Sequence, residues 1–325
     1  MKKIAVIGSG VAGVACAYIC SKNGADVVLF DKSRGVSGRS TSKRWDQTTG
    51  IAIDMGVPYI YDNELSLNDY PILSQLIDSS LLVPWTLIQS KENIEQTFNT
   101  YVGNPKMSTI CRTLSKNIHL KTESRIIEVD YNNHWTIKSE TNEWSGFDIL
   151  VSAIPAAQIE LIKGVPNEIR KKAATINYHA INTCLIEMKS PLWFEDYNED
   201  ILNSPYISSI IADYKKPGRE SKRFTYAIQC QPSWSTKTFD EISKDEVLNL
   251  IIKEILNHYN RSQDLILKSL CHRWKFAQLS GPADSLQTNF LTTNESPFYA
   301  CGDWCKGTTF MKAFESGYSV GEAIS

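Results

Sequence analysis

The 325-residue sequence predicts an α/β fold in two domains, and three observations carry that prediction. A short apolar strand at the N-terminus runs into a Gly-x-Gly-x-x-Gly turn and a helix-length segment. A continuous apolar run over residues 147–154 reads as a strand buried on both faces, stopped by Pro155. From about residue 156 to 268 the texture changes to short strands between polar loops, as an antiparallel sheet requires.

Each part of the opening stretch has a physical reason. Ile4-Ala-Val-Ile leads into Gly8-Ser9-Gly10-Val11-Ala12-Gly13, and a second apolar strand, Asp26-Val-Val-Leu-Phe30, ends at Asp31. Gly8 permits the tight turn, Gly10 lets a pyrophosphate approach the backbone, and Gly13 packs helix against strand. Free amides and the dipole at the helix start favour phosphate charge. Asp31 lies 21 residues after Gly10, where an acid accepts ribose hydroxyls. This is a Rossmann-like dinucleotide-binding pattern. Lys2 and Lys3 followed by an apolar run to Ala17 also have the outline of a signal peptide, with Ala15-Cys-Ala17 as its cleavage site. That reading leaves the three spaced glycines and Asp31 unexplained, so a cytoplasmic protein is expected.

Bulk properties narrow the class. Hydrophobic content of 42% and 22% charged residues are ordinary globular values. A net charge of −2 gives no reason to expect nucleic acid or an anionic membrane as partner. Eight cysteines in a chain this long, with the pairs Cys16/Cys20 and Cys301/Cys305 spaced by three residues instead of Cys-x-x-Cys, read as buried small hydrophobes rather than disulfides or a metal site. No metal is expected. The five dispersed histidines, and the absence of a Gly-x-Ser-x-Gly elbow, exclude a recognisable hydrolase.

Further along, five cations fall in the thirteen residues from Lys32 to Arg44. Glycines 35 and 38 precede Arg39 directly after the ribose-binding acid, so Arg39 can meet a diphosphate bidentately. Residues 51–56 read as a strand and a tight bend, with Tyr59 and Tyr61 following. Residues 62–95 read as loop and helix, the helical piece at 71–82. A helix is expected over 105–114, and strands near 118–120, 125–131, 134–139, 180–188, 206–212, 224–231 and 269–276. Residues 244–259 have helical periodicity and should cover the antiparallel sheet. A strand at 298–303 precedes the last helix, which begins near 309–311. The expected division is a discontinuous dinucleotide domain (1–60, 101–155 and 269–325) and a substrate domain (61–100 and 156–268).

The N-terminal fingerprint, Phe30-Asp-Lys-Ser-Arg-Gly35 with Gly38-Arg39, Asp54-Met-Gly56 and Gly302-Asp303-Trp304 together resemble the flavin-dependent oxidases of the amine-oxidase superfamily. Tyr101-Val-Gly103, Lys216-Pro-Gly-Arg219, Pro232-Ser-Trp234-Ser and His272-Arg-Trp274 are similar to its bacterial renalase branch. The resemblance spans nearly the whole chain. It implies a two-domain FAD-binding fold of the p-hydroxybenzoate hydroxylase type, with the flavin ring between the domains. Implied FAD contacts are Gly8, Ser9, Gly10, Val11, Ala12, Gly13, Asp31, Lys32, Gly38, Arg39, Met55, Gly56, Ile127 beside the adenine, Gly302 and Asp303. The amides of Phe310 and Met311, at a helix start, would face flavin N1 and O2, where charge accumulates on reduction. Two departures stand out: Ser37 replaces the first of the usual paired glycines, and Thr308-Thr-Phe-Met-Lys312 replaces a Gly-Arg-Val-Glu-Gly-like segment.

The branch activity so implied is oxidation of isomeric dihydronicotinamides to NAD(P)+, with oxygen reduced to hydrogen peroxide. Such chemistry asks for positioning more than for acid–base groups. Tyr59, Tyr226, His272 and Trp274 are the expected lining, with a small molecule as substrate and oxygen as acceptor. Two alternatives stand beside it. One is an amine oxidase or desaturase, for which Lys275 is the available lysine. The other is a non-catalytic dinucleotide-binding protein.

Overall fold

The computed structural model describes residues 1–46, 50–219, 223–281 and 285–325. They divide into two units, each threaded more than once by the chain. Unit 1 comprises Met1–Arg39, Cys111–Tyr178 and Leu279–Ser325; unit 2 comprises Ser40–Ile110 and His179–Gln278.

Unit 1 carries the strand, glycine turn and helix of the opening stretch. Its six-stranded sheet runs in the order Leu291–Thr292, Phe298–Ala300, Ile149–Ser152, Lys3–Ile7, Asp26–Phe30 and His119–Lys121. All neighbours are parallel except the first pair. The central strands Lys3–Ile7 and Ile149–Ser152 are apolar because both faces are covered. One face meets a core that includes Phe30, Trp135, Phe147, Phe298 and Trp304, closed by a three-stranded antiparallel sheet and by the helical segment from Ala156 to Ile176. The helix Val11–Lys22 is buried nearly all round, which fits its lack of amphipathic patterning. It packs along the closing helix Phe310–Ile324. The approach is backbone to backbone: a Cβ on Gly317 would lie 1.9 Å from the Ala12 carbonyl oxygen. Lys2 Nζ ties the two chain ends by donating to the Ile324 carbonyl at 2.6 Å.

Unit 2 is built on an eight-stranded sheet, ordered Ile266–Leu279, Tyr178–Met188, Phe224–Cys230, Ile207–Ala212, Glu199–Ile201, Leu82–Lys91, Ile94–Gly103 and Ile60–Tyr61. Most of its pairings are antiparallel, whereas Glu199–Ile201 runs parallel to Leu82–Lys91. The helix Lys244–His258 covers one face through Val247, Ile251, Ile252 and Ile255. Its start is fixed by a capping box between Ser243 and Glu246.

Three expectations change. The helix expected at 71–82 is shorter, Pro71–Asp78, and residues expected to continue as loop form the hairpin Leu82–Lys91 and Ile94–Gly103. Residues 101–110, expected with the dinucleotide domain, group with unit 2, as do residues 40–60 and 269–278. Residues 156–178, expected in the substrate domain, group with unit 1 because Ala156, Ile159, Ile162, Val165, Ile169 and Ala173 fill its core.

Among the described residues no helix is long and apolar enough to cross a membrane, and no cluster of His, Cys, Asp or Glu could hold a metal ion.

Candidate active site

Unit 1 carries a cradle made by the first strand, the glycine turn and the loop after Asp31. The Gly8 amide donates to the Phe30 carbonyl (2.7 Å), locking the turn to the second strand. Gly10 caps the helix Val11–Lys22, whose first turn has neither a capping side chain nor an acidic residue. A Cβ built on Gly10 would meet nothing nearer than the Gly38 Cα, 4.0 Å away, so the space over the helix start is open. Ser37 is held against this turn by its amide, which donates to the Ser9 carbonyl (2.8 Å). Its φ of +106° explains why glycine is usual at that position.

Asp31 does more than the sequence suggested. Ser9 donates to its Oδ2 through both amide (2.7 Å) and hydroxyl (2.6 Å), and the Ser33 amide donates to Oδ1 (2.7 Å). The carboxylate therefore braces the glycine turn, and its remaining lone pairs are available for a ribose. Ser9 is fully buried and serves that brace. Lys32 donates to Gln158 Oε1 at 3.1 Å. Ile127 is the extra residue where the register with the neighbouring strand shifts, and its carbonyl accepts from the Lys163 amide.

The far end of the chain returns to the same unit. Asp303 Oδ2 accepts from Arg39 Nη1 at 2.6 Å, and Oδ1 lies 3.5 Å from the Tyr178 hydroxyl. Burial works against the Arg39 charge, but the Asp303 carboxylate outweighs it and holds the guanidinium above its ordinary value. The Gly302 amide donates to Ser316 Oγ on the closing helix (2.9 Å). That helix is capped by Thr309 Oγ1, which accepts from the Lys312 amide. The Phe310 and Met311 side chains are buried, so only their main-chain amides can serve a ligand.

Unit 2 holds the other expected residues. Asp54 anchors the bend before Met55 and Gly56: its Oδ1 accepts from Ser42 Oγ (2.6 Å) and the Met107 amide (3.0 Å), its Oδ2 from Lys216 Nζ (3.0 Å) and Arg219. Burial opposes its ionisation, but Lys216 and Arg219, with Ser42 and the Met107 amide, bring it down to about 2. Asp213, also paired with Lys216 (2.8 Å), moves upward through burial and the neighbouring Asp54 charge. The Lys216-Pro-Gly-Arg219 motif thus clamps the Asp54-Met-Gly56 bend. Trp274 Nε1 then donates to the Met55 carbonyl (3.1 Å) and Gln229 Nε2 to the Gly56 carbonyl (3.2 Å).

His272 and Trp274 lie together, ring centroids 4.2 Å apart, on the sheet face that meets Met55. Burial, and then Lys43, push the imidazole below its ordinary value, so it is neutral at pH 7. Tyr59 donates to Glu199 Oε2 (2.9 Å), which also accepts from Gln89 (2.8 Å). Burial raises the Glu199 carboxyl. Tyr226 requires a correction. It is fully buried beneath the covering helix among Trp193 and Tyr214, and its hydroxyl accepts from the Leu192 amide. Alternation puts Ala227, not Tyr226, on the Met55 face, so Tyr226 is a core residue. By the same alternation Lys275 joins Arg273 against Phe239, away from His272 and Trp274.

Residues 6–79 match the model of the NAD(P)-binding Rossmann-like domain, and residues 89–325 match that of the flavin containing amine oxidoreductases. The chain belongs to the flavin-containing amine oxidoreductases. It is an oxidoreductase, and its cofactor is FAD. Renalase of Mus musculus is 23% identical across 98% of both chains. An Exiguobacterium sp. 255-15 protein described as a protoporphyrinogen oxidase shares the fold at a TM-score of 0.76 and 12% identity, over 99% of this chain and 98% of its own. A putrescine oxidase bound to putrescine does so at 0.70 and 11%, with the same coverage.

The unit 1 cradle fits that cofactor: an uncapped helix start and an open space over Gly10 suit a diphosphate, and Gly38, the residue before Arg39, lies against Gly10. Sequence reasoning missed Tyr178, Glu199 and Gln229. Glu199 and Gln229 carry no local motif, and only the pairing of strands reveals that they share the Met55 face.

Proposed function

We propose that this enzyme oxidises a dihydronicotinamide, an isomeric form of NAD(P)H, and passes the electrons to oxygen. The observation that carries this reading is the end-to-end relationship to a renalase, which covers both units rather than the nucleotide-binding half alone. FAD, when bound, supplies the two-electron acceptor and yields hydrogen peroxide with oxygen. The protein's part is then mainly to place the substrate ring. A dihydropyridine becomes aromatic as hydride leaves, so no strong base is required. Neutral His272, Trp274 with its N–H committed to Met55, and Tyr59 committed to Glu199 suit a fixed lining of this kind. Gly8–Gly13, Asp31, Lys32, Gly38 and Arg39 would hold the adenosine and diphosphate, with Ile127, Gly302, Asp303 and the Phe310 and Met311 amides along the rest. Met55 and Gly56 complete the assigned set. The FAD would lie extended, as in the p-hydroxybenzoate hydroxylase type of fold. All eight cysteines are free thiols, which supports a reducing, cytoplasmic setting.

The test is anaerobic mixing with an NAD(P)H isomer mixture and, separately, with a panel of amines. Bleaching of the flavin absorbance by the isomers alone supports the reading. Bleaching by an amine alone overturns it in favour of amine oxidation, the reading supported by the family's name and by the fold shared with putrescine oxidase. The placement of Lys275 away from the His272–Trp274 face counts against that second reading.

A further inference from the structure

We propose that Gln229 reads the carboxamide of the substrate's pyridine ring, accepting one of its N–H groups on Oε1. The role deepens the dihydronicotinamide reading and rests on it. Gln229 lies on the strand Phe224–Cys230, where residues 225–228 and Cys230 are buried and Gln229 is partly open. Its Nε2 donates to the Gly56 carbonyl at 3.2 Å. A carbonyl can only accept, so this contact decides how the side-chain amide is turned: nitrogen toward Gly56, Oε1 on the other side. Among the described residues no group donates to Oε1. The amide is thus held and oriented by the protein, with an acceptor left over. Trp274 Nε1 grips the preceding carbonyl, that of Met55, at 3.1 Å. Gln229 and Trp274 therefore hold consecutive residues of one bend, which sets the Gln229 amide beside the expected ring lining.

The surroundings decide what that acceptor takes. Thr183 and Ser209, both buried, are its register partners on the two flanking strands. Glu199, on the strand beyond Ser209, is buried as well and accepts from Tyr59, Gln89 and the Ser209 hydroxyl. Two residues along the same face the character changes: Leu185, Ala227 and Ile211 stand in register there, and Leu185 and Ala227 pack with Ile53 and Met55. The bend is thus seated on an apolar strip, and Gln229 begins a polar one. The charge among its neighbours is the Glu199 carboxylate, while Lys216 is spent on Asp54 and Asp213. An acceptor beside an anion selects an N–H donor and rejects a carboxylate. A nicotinamide carboxamide meets that demand. The corresponding acid would face two sets of oxygens, and a methyl ketone of the same shape lacks the N–H.

The experiment is a binding series on the flavin-loaded full chain, read by titration calorimetry so that no turnover is needed. Its probes differ at one substituent: NAD+, the 3-acetylpyridine analogue and the nicotinic acid analogue. The parent should bind NAD+ roughly 3- to 10-fold more tightly than the ketone, as one neutral hydrogen bond warrants, and the acid most weakly. Gln229→Leu should bind NAD+ and the ketone within twofold of each other. Gln229→Lys keeps a donor for the Gly56 carbonyl but offers no acceptor, so it should retain its flavin and turn the preference toward the acid. Equal binding of NAD+ and the ketone by the parent, or parent-like discrimination by Q229L, would overturn the proposal. Anaerobic bleaching by the isomer mixture separates the failures: where it persists, dihydronicotinamide oxidation stands and only the role of Gln229 falls. If no isomer bleaches the flavin and none of the probes binds, the oxidation reading fails and takes the role of Gln229 with it. Should Q229L lose its flavin with the Gly56 tie, Q229K decides, and the parent's order of NAD+ over ketone over acid in that variant would overturn the proposal.

Discussion

The join between the opening and closing helices can be tested at a single atom. Gly317→Ala adds one methyl, and the structure says where it goes: 1.9 Å from the Ala12 carbonyl oxygen, 2.5 Å from its carbon and 2.7 Å from its Cα. All three are main-chain atoms, so no side-chain rotation relieves the contact. Restoring van der Waals distance needs the helices to part by roughly 1.5 Å, and even a 0.5–1 Å gap forfeits about a quarter to a half of each dispersion contact. Overpacking of this kind costs about 1–3 kcal/mol, and a rigid obstacle belongs at the upper end. Alanine's better helix propensity returns up to ~1 kcal/mol, which leaves a net loss of roughly 2 kcal/mol. Urea unfolding at a fixed FAD concentration measures it, since bound ligand adds its own stabilisation. The exposed neighbour Glu322→Ala is the control, expected within about 0.5 kcal/mol of the parent. If Gly317→Ala matches that control and keeps its flavin, the two ends are not packed backbone to backbone and the account of unit 1 fails.

Other outcomes follow from the same structure. Asp54 is held at about 2, below its ordinary value of 3.8, so its stabilisation is complete above that ordinary value and disappears as pH falls toward 2. The shift is worth on the order of 2 kcal/mol, and urea midpoints of Asp54→Asn should lack this acid-side slope while losing about 3–5 kcal/mol overall to the stranded Lys216 and Arg219. Asp31→Ala should purify with little or no FAD, read from the ratio of flavin to protein absorbance; full flavin content would contradict both the ribose assignment and the brace on Ser9. Tyr226→Phe should cost roughly 1–3 kcal/mol by leaving the Leu192 amide unsatisfied, with KM unchanged. A raised KM at full stability would return Tyr226 to the substrate lining.

What the sequence revealed and what it hid divide along physical lines. The opening strand, glycine turn and helix were legible because a tight turn and close helix–strand packing impose glycines at fixed spacings on one short stretch. The Lys244–His258 helix was legible because one face is buried and its start carries a capping box. The hairpin Leu82–Lys91 and Ile94–Gly103 was not. The first residues of its second strand are exposed on both faces, so period-two alternation is lost there, and its turn uses Glu92 and Asn93 at positive φ instead of an Asn-Gly or Asp-Gly pair. The boundary near residue 40 was hidden for another reason. Asp54 looks like part of the nucleotide fingerprint, yet its partners are Lys216 and Arg219, more than 160 positions away. Tyr178 was invisible because its meaning comes from Asp303, 125 positions distant.

The three-piece assembly of unit 1 also governs how the chain is born. The helix Val11–Lys22 leaves the ribosome long before the surface that encloses it, Phe310–Ile324, is translated. At about 5–20 residues per second, the interval is on the order of 15–60 s, during which a nearly all-apolar segment has no permanent shelter. Every nascent chain stopped short of that final helix shares the problem, so holdase demand during synthesis, more than the finished enzyme's stability, should limit the yield of soluble protein.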